Sequence, residues 1–116
     1  LVPYTAVLGN HDYRVVSDKT SGTTRYTQYF GPSRYQGRSW YVEDSGLVGA
    51  HAQIFEGGGY RFLNISLQYE PLDADLAWAQ SIIDRHPGLP TIISTHTYLN
   101  PSARRRQSTI QGNSNG

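Results

Sequence analysis

The sequence predicts a mixed α/β domain, and three observations carry that reading. Two apolar runs, Val2 to Leu8 and Leu89 to Thr95, have the length and β-former content of buried strands. Between them, the tract Gly57-Gly58-Gly59 separates two β-rich arms, as in a hairpin. Residues 73–85 then carry apolar side chains at helical spacing.

Val2 to Leu8 is interrupted only by Pro3 and Thr5, so the expectation is a short buried strand delivering Gly9 to a sheet edge. Tyr13 to Thr24 has no sustained period and is rich in Ser, Thr, Gly and charge, which predicts a surface loop. Arg25 to Phe30 suits one helical turn or a short strand equally and stops at Gly31-Pro32. Ser33 to Ser39 is polar; Trp40, Tyr41 and Val42 then open a strand that turns at Asp44 to Gly46.

The hairpin arms are Ala50 to Glu56 and Tyr60 to Gln68. In the second, Phe62 and Leu63 are followed by Ile65 and Leu67, an alternation that buries one face. Glu70-Pro71 ends the strand, and Asp73 is the candidate N-cap of a helix reaching about Arg85. Leu72, Leu76, Ala79 and Ile83 make its stripe, widened by Trp78 and Ile82. Asp75, Gln80, Ser81 and Asp84 fall on the other side, so the helix acids read as capping and solvated groups. Arg85 and His86 close the last turn, where positive charge suits the helix dipole. Pro87-Gly88 then stops the helix, and the run to Thr95 delivers His96 to a strand end.

The 116 residues suit one domain with a single core. No Met is present, residue 1 opens inside an expected strand and the last residues are polar, so the expectation is a piece of a longer chain. A net charge of +1 sets up no field that would indicate a nucleic-acid or membrane partner. No apolar stretch approaches a membrane span, and no signal peptide is visible. The absence of Cys excludes disulfides and thiolate metal ligands. Nine Tyr, the single Lys19 and abundant Ser, Thr and Gly suit a secreted or periplasmic protein. The glycine tract lacks the Lys and Ser/Thr of a nucleotide P-loop.

Chemistry concentrates at Gly9-Asn10-His11-Asp12. Gly9 is read as permitting a sharp turn and a close backbone approach. Asn10 offers a hard carbonyl oxygen to a metal. His11 exchanges a proton near neutral pH, and Asp12 is suited to holding its imidazole. As ordinary turn residues, the same four also suit a solvated loop. His51, at a strand start, and His86, at a helix end, read as structural or solvated. Tyr13 and Tyr98, each two residues from a candidate His, suit a pocket wall or packing equally. Arg104, Arg105 and Arg106 could contact an anionic substrate, but a short cationic run in a loop is more often solvated.

With Ile92-Ile93-Ser94-Thr95-His96 following later at a second strand end, the chain resembles the calcineurin-like metallophosphoesterases. The resemblance rests on the Gly-Asn-His-Asp block and the lone strand-end His, and the element order extends it over most of the chain. It implies a metal-dependent phosphoester hydrolase, phosphatase or phosphodiesterase, within a four-layer α/β/β/α parent fold. Asn10 and His96 are then ligands to one of two metal ions, Mn, Zn or Fe, and His11 with Asp12 serves the leaving group. Two cations about 3.5–4 Å apart clamp a phosphate and its attacking hydroxide in such centres. The family's upstream Asp-x-His and Gly-Asp-x-x-Asp blocks and its downstream Gly-His-x-His block are not among these residues. Residues 1–116 are therefore expected to form a single partial domain, inactive in isolation. The alternative is a noncatalytic Tyr-rich module that stacks carbohydrate or peptide on aromatic faces.

Overall fold

The computed structural model describes residues 2–104, 107–108 and 114–115. Among them the chain is a mixed α/β domain with two helices, α1 (Thr24–Phe30) and α2 (Asp73–Arg85). Its main sheet has four strands, β1 (Tyr41–Asp44), β2 (His51–Gly57), β3 (Tyr60–Ser66) and β4 (Thr91–Ser94), in that spatial order. A two-stranded ladder, β5 (Gln107–Ser108) and β6 (Ser114–Asn115), lies apart from it. No helix of the described residues is long and apolar enough to cross a membrane.

The hairpin forms as its sequence predicts. Gly58 and Gly59 hold φ of 58° and 82°, the positive pair that a type I′ reversal requires. Gly57 pairs with Tyr60, and the antiparallel register runs back to His51 opposite Ser66. β1 joins β2 antiparallel with an irregularity between Tyr41 and Glu43, whereas β4 joins β3 in parallel after the α2 crossover.

Alternation along β2 and β3 builds two different buried faces. Ala50, Ala52, Leu63, Ile65 and Leu67 meet Ala79 and Ile82 of α2 in the apolar core. Each large aliphatic side chain buried there contributes about 1.5–3 kcal/mol. The opposite face carries His51, Gln53, Asn64, Ser66 and Gln68, all buried as well. Two of those polar groups share one partner: Thr5 Oγ1 lies 2.9 Å from His51 Nε2 and also bonds the Ser66 hydroxyl. Tyr35 stacks on the His51 ring at 4.9 Å, within an aromatic group that includes Tyr4, Trp40 and Tyr41. His51 is thus a packed structural residue, and His86 bonds the Ile82 carbonyl through Nδ1 at 2.8 Å.

Four expectations are corrected. Val2 to Leu8 forms no ladder strand: its backbone accepts the Tyr69 amide at Leu8 O and the Tyr26 hydroxyl at Ala6 O, and only Leu8 is buried. Pro3 has no amide to donate, and composition alone does not supply a partner strand. Leu89 to Thr95 yields β4, but as an edge strand whose Ile92 and Ile93 are 45% and 52% exposed. At the start of α2, Leu72 takes the N-cap and Asp73 is the first helical residue. Asp75, expected on the solvated side, is fully buried and accepts the Leu72 amide at 2.7 Å. The open choice at Arg25 to Phe30 resolves to helix. Arg105 and Arg106 lie outside the described residues, while Arg104 is exposed.

Candidate functional site

Parallel pairing of β3 and β4 brings both strands to the same edge of the sheet, and the chain returns to that edge twice more. The Tyr69 amide donates to Leu8 O at 2.8 Å, so the residues after β3 hold the segment that leads into Gly9. Across the β4 side, Thr95 Oγ1 donates to Gln68 O at 2.9 Å, and Glu70 N donates to Thr97 O at 3.2 Å. Ligands in open α/β sheets gather at such carboxyl ends because rigid strands fix the loops that leave them.

Asn10, His11 and Asp12 form a single 3-10 turn. Its start is secured by Asp12, whose Oδ2 accepts the Gly9 amide at 2.7 Å. The acid therefore braces the turn through the backbone, where the sequence suggests a partner for the His11 imidazole. Gly9 has φ of −93° and ψ of 173°, extended values open to any residue, so the expected need for special dihedrals is corrected. What Gly9 does provide is proximity: a Cβ added to it would sit 3.6 Å from Cγ and Nδ1 of His96. The quartet and the strand-end His are thereby neighbours in space. Asn10 Nδ2 reaches Ser17 Oγ at 3.5 Å, and Ser17 N donates to Asn10 O at 2.9 Å, which ties the following loop to the turn. His96 packs beside Tyr69, with ring centroids 6.0 Å apart.

Beneath the turn lies a polar network that the sequence did not advertise. Tyr13 donates its hydroxyl to Gln68 Oε1 at 2.8 Å, and Gln68 Nε2 donates to Asp75 Oδ2 at 2.8 Å. Lys19 reaches in from the loop, donating to the Tyr69 carbonyl and to Gln68 Oε1, with its ammonium over the Tyr13 and Tyr69 rings. Burial pushes the Asp75 carboxyl and the Tyr13 hydroxyl above their ordinary pKa ranges. It also lowers Lys19 to about 8, against the opposing pull of Asp75 and Glu70. Glu70, fully buried, holds a left-handed backbone with φ of 44° just before Pro71, an uncommon conformation for a non-glycine residue. The one sequence signal for this network was Asp75 at the third helical position, where an acid reaches back to the N-cap amide.

An open cleft of about 690 Å³ lies on the outer side of the turn, lined by His11, Asp12, Tyr13, Arg14, Thr24 and Arg25. Tyr13 thus joins a pocket wall while its hydroxyl is engaged below, and Tyr98 remains 41% exposed.

The residues present do not fit a dinuclear metal centre on their own. Among the described residues no three His, Cys, Asp or Glu side chains are grouped to hold a metal ion. Asn10 and His96 supply one amide oxygen and one imidazole, both neutral, and a dinuclear centre needs bridging carboxylate charge.

No protein-family model matches the chain, and no solved structure matches it. It is similar to the uncharacterized protein YvnB of Bacillus subtilis (strain 168), with 26% identity over 104 residues covering 90% of this chain. The chain corresponds to 8% of that relative's length.

Proposed function

We propose that this chain carries the leaving-group side of a metal-dependent phosphoester hydrolase of the calcineurin-like type. The observation that carries the reading is the proximity of Gly9 to His96, whose ring lies 3.6 Å from where a Cβ on residue 9 would sit, so both resemblance-bearing motifs are neighbours. The fold implied is a partial version of the four-layer parent.

His11 sits in the braced turn, exposed toward the cleft. There it donates a proton to the departing alkoxide oxygen, a role that in general contributes about 10²–10⁴ in rate. Asp12 holds the turn through the Gly9 amide, and Lys19 with Gln68 anchors the loop that follows. Asn10 and His96 are the residues of this chain proposed to hold a metal, and a bound metal would supply Lewis-acid polarisation of the phosphate.

The aromatic binding-module reading draws less support. Four of the nine tyrosines, Tyr13, Tyr26, Tyr35 and Tyr69, are buried, so their faces are not offered for stacking.

The test is phosphodiester and phosphomonoester turnover by the full-length gene product. His11→Ala is expected to cut turnover by about a hundredfold or more while metal content holds, whereas His96→Ala is expected to lose metal. Equal metal content in wild type and His96→Ala, or full turnover in His11→Ala, overturns the assignment.

A further inference from the structure

We infer that the cleft beside His11 binds a phosphate carried by the leaving group. The substrate class would then be a small phosphoester whose departing alcohol or phosphate bears its own anionic phosphoryl group. The inference rests on the hydrolase reading for the word "leaving", but the anion site stands on its own geometry.

Two arginines from separate elements line one cleft, Arg14 from the loop after the turn and Arg25 from α1. Both are exposed, and neither forms an ion pair among the described residues, in contrast with Arg61 to Glu56 and Arg85 to Glu43. Arg14 is held in place: its backbone amide donates to Gly22 O at 2.9 Å and its Nε to Ser21 O at 3.2 Å. Two acids lie nearby, Asp12 on the cleft wall itself and Asp18, whose carboxyl is held below its ordinary pKa range by Thr20 and, to a lesser degree, by Arg14. Asp12 accepts the Gly9 amide, and Asp18 accepts the Thr20 amide and hydroxyl at 2.9 and 2.7 Å.

Planar guanidinium forks match phosphate oxygens in pairs, and Thr24 and His11, both with side chains that can donate, line the same cleft. The volume lies inside the range of small-ligand sites, roughly 300–1,000 Å³. A net charge of +1, without an extended basic stripe, favours a small anion over a nucleic-acid strand.

The experiment is an NMR titration of the 116-residue chain with inorganic pyrophosphate, in EDTA at physiological salt, with sulfate at matched ionic strength as control. Saturable shifts are expected at the amides of residues 11–14, 24 and 25, with a Kd below about 1 mM. Arg25→Gln, an exposed change that leaves the rest of the spectrum intact, is expected to weaken binding about tenfold. Arg14→Lys, which keeps the charge but loses the fork, is expected to weaken it less. An absent or unsaturable response, an equal response to sulfate, or an unchanged Kd in Arg25→Gln overturns the inference. So does tighter binding of a short oligonucleotide. Line broadening by Mn²⁺ around Asn10 and His96, recorded separately without EDTA, reports on the hydrolase reading alone, so either idea can fail without the other.

Discussion

Asp75 Oδ2 accepts the side-chain amide of Gln68 at 2.8 Å, and both residues are buried. The same oxygen accepts the Leu72 amide at 2.7 Å. One carboxylate thus fastens the start of α2 to the strand end under the candidate site.

Removing it leaves one buried donor, Gln68 Nε2, and one half-buried donor, the Leu72 amide, without acceptors. Asp75→Ala is expected to cost about 3 kcal/mol of folding stability, whereas Asp75→Asn, which keeps an acceptor oxygen, should cost clearly less. Urea unfolding measures both. A loss below about 1 kcal/mol for the alanine variant would show that the network contributes little.

His51 makes stability depend on pH in a definable direction. Burial lowers its pKa from 6.5 to about 4, so the unfolded chain takes up the proton first as pH falls. Its contribution is complete above the unfolded value of 6.5, is lost between 6.5 and about 4, and is level below that. The full change is about 3 kcal/mol. Asp75, with its raised pKa, acts oppositely, its contribution falling as pH rises through its folded value. Subtracting the pH profile of His51→Gln from that of the wild type isolates the histidine. A difference flat across the window would refute its neutral burial.

Lys19 is the single side-chain amine of the chain, which makes its chemistry readable without interference. Its pKa of about 8, against 10.5 for an ordinary lysine, follows chiefly from desolvation among Tyr13, Gln68 and Tyr69. Competitive acetylation, followed by mass spectrometry on the peptide holding Lys19, should give an apparent pKa near 8 when folded and near 10.5 in urea. Identical profiles would place the amine in open solvent.

Gly49 and Gly9 make opposite predictions. Gly49 has φ of 69°, and a Cβ there would lie 2.9 and 3.0 Å from Cβ and Cδ2 of Leu8. Gly49→Ala combines a left-handed backbone with overpacking and is expected to cost about 1–3 kcal/mol. Gly9→Ala meets only ordinary contacts, 3.4 Å and beyond, and should change stability by less than about 1 kcal/mol. Thermal unfolding of the pair decides whether Gly49 rather than Gly9 is the position that demands glycine.

The parts of the fold that were legible in sequence are those set by near neighbours. Gly58-Gly59 and the Leu63, Ile65, Leu67 alternation specify the hairpin locally, and the Leu76, Ala79, Ile83 stripe specifies α2. Asp75 was misplaced because helical period alone puts it among polar residues, whereas its partners Gln68 and Leu72 come from the folded arrangement. Val2 to Leu8 and Leu89 to Thr95 look alike in composition, but strand formation and burial need a partner, which composition does not encode. In the candidate site, the quartet and His96 stood out because each ends an apolar run. Arg14 and Arg25 did not, since nothing in a polar loop or an ambiguous aromatic segment signals that they will face one cleft.

Among the described residues β4 is an edge strand, with its outer backbone groups unpaired in the sheet and Ile92 and Ile93 exposed beside them. Such a rim templates strand addition from another molecule. Purified at high concentration, this polypeptide should therefore lose colloidal stability through rim-to-rim assembly. A charged gatekeeper, Ile92→Lys, is the single change expected to restore solubility without touching the candidate site.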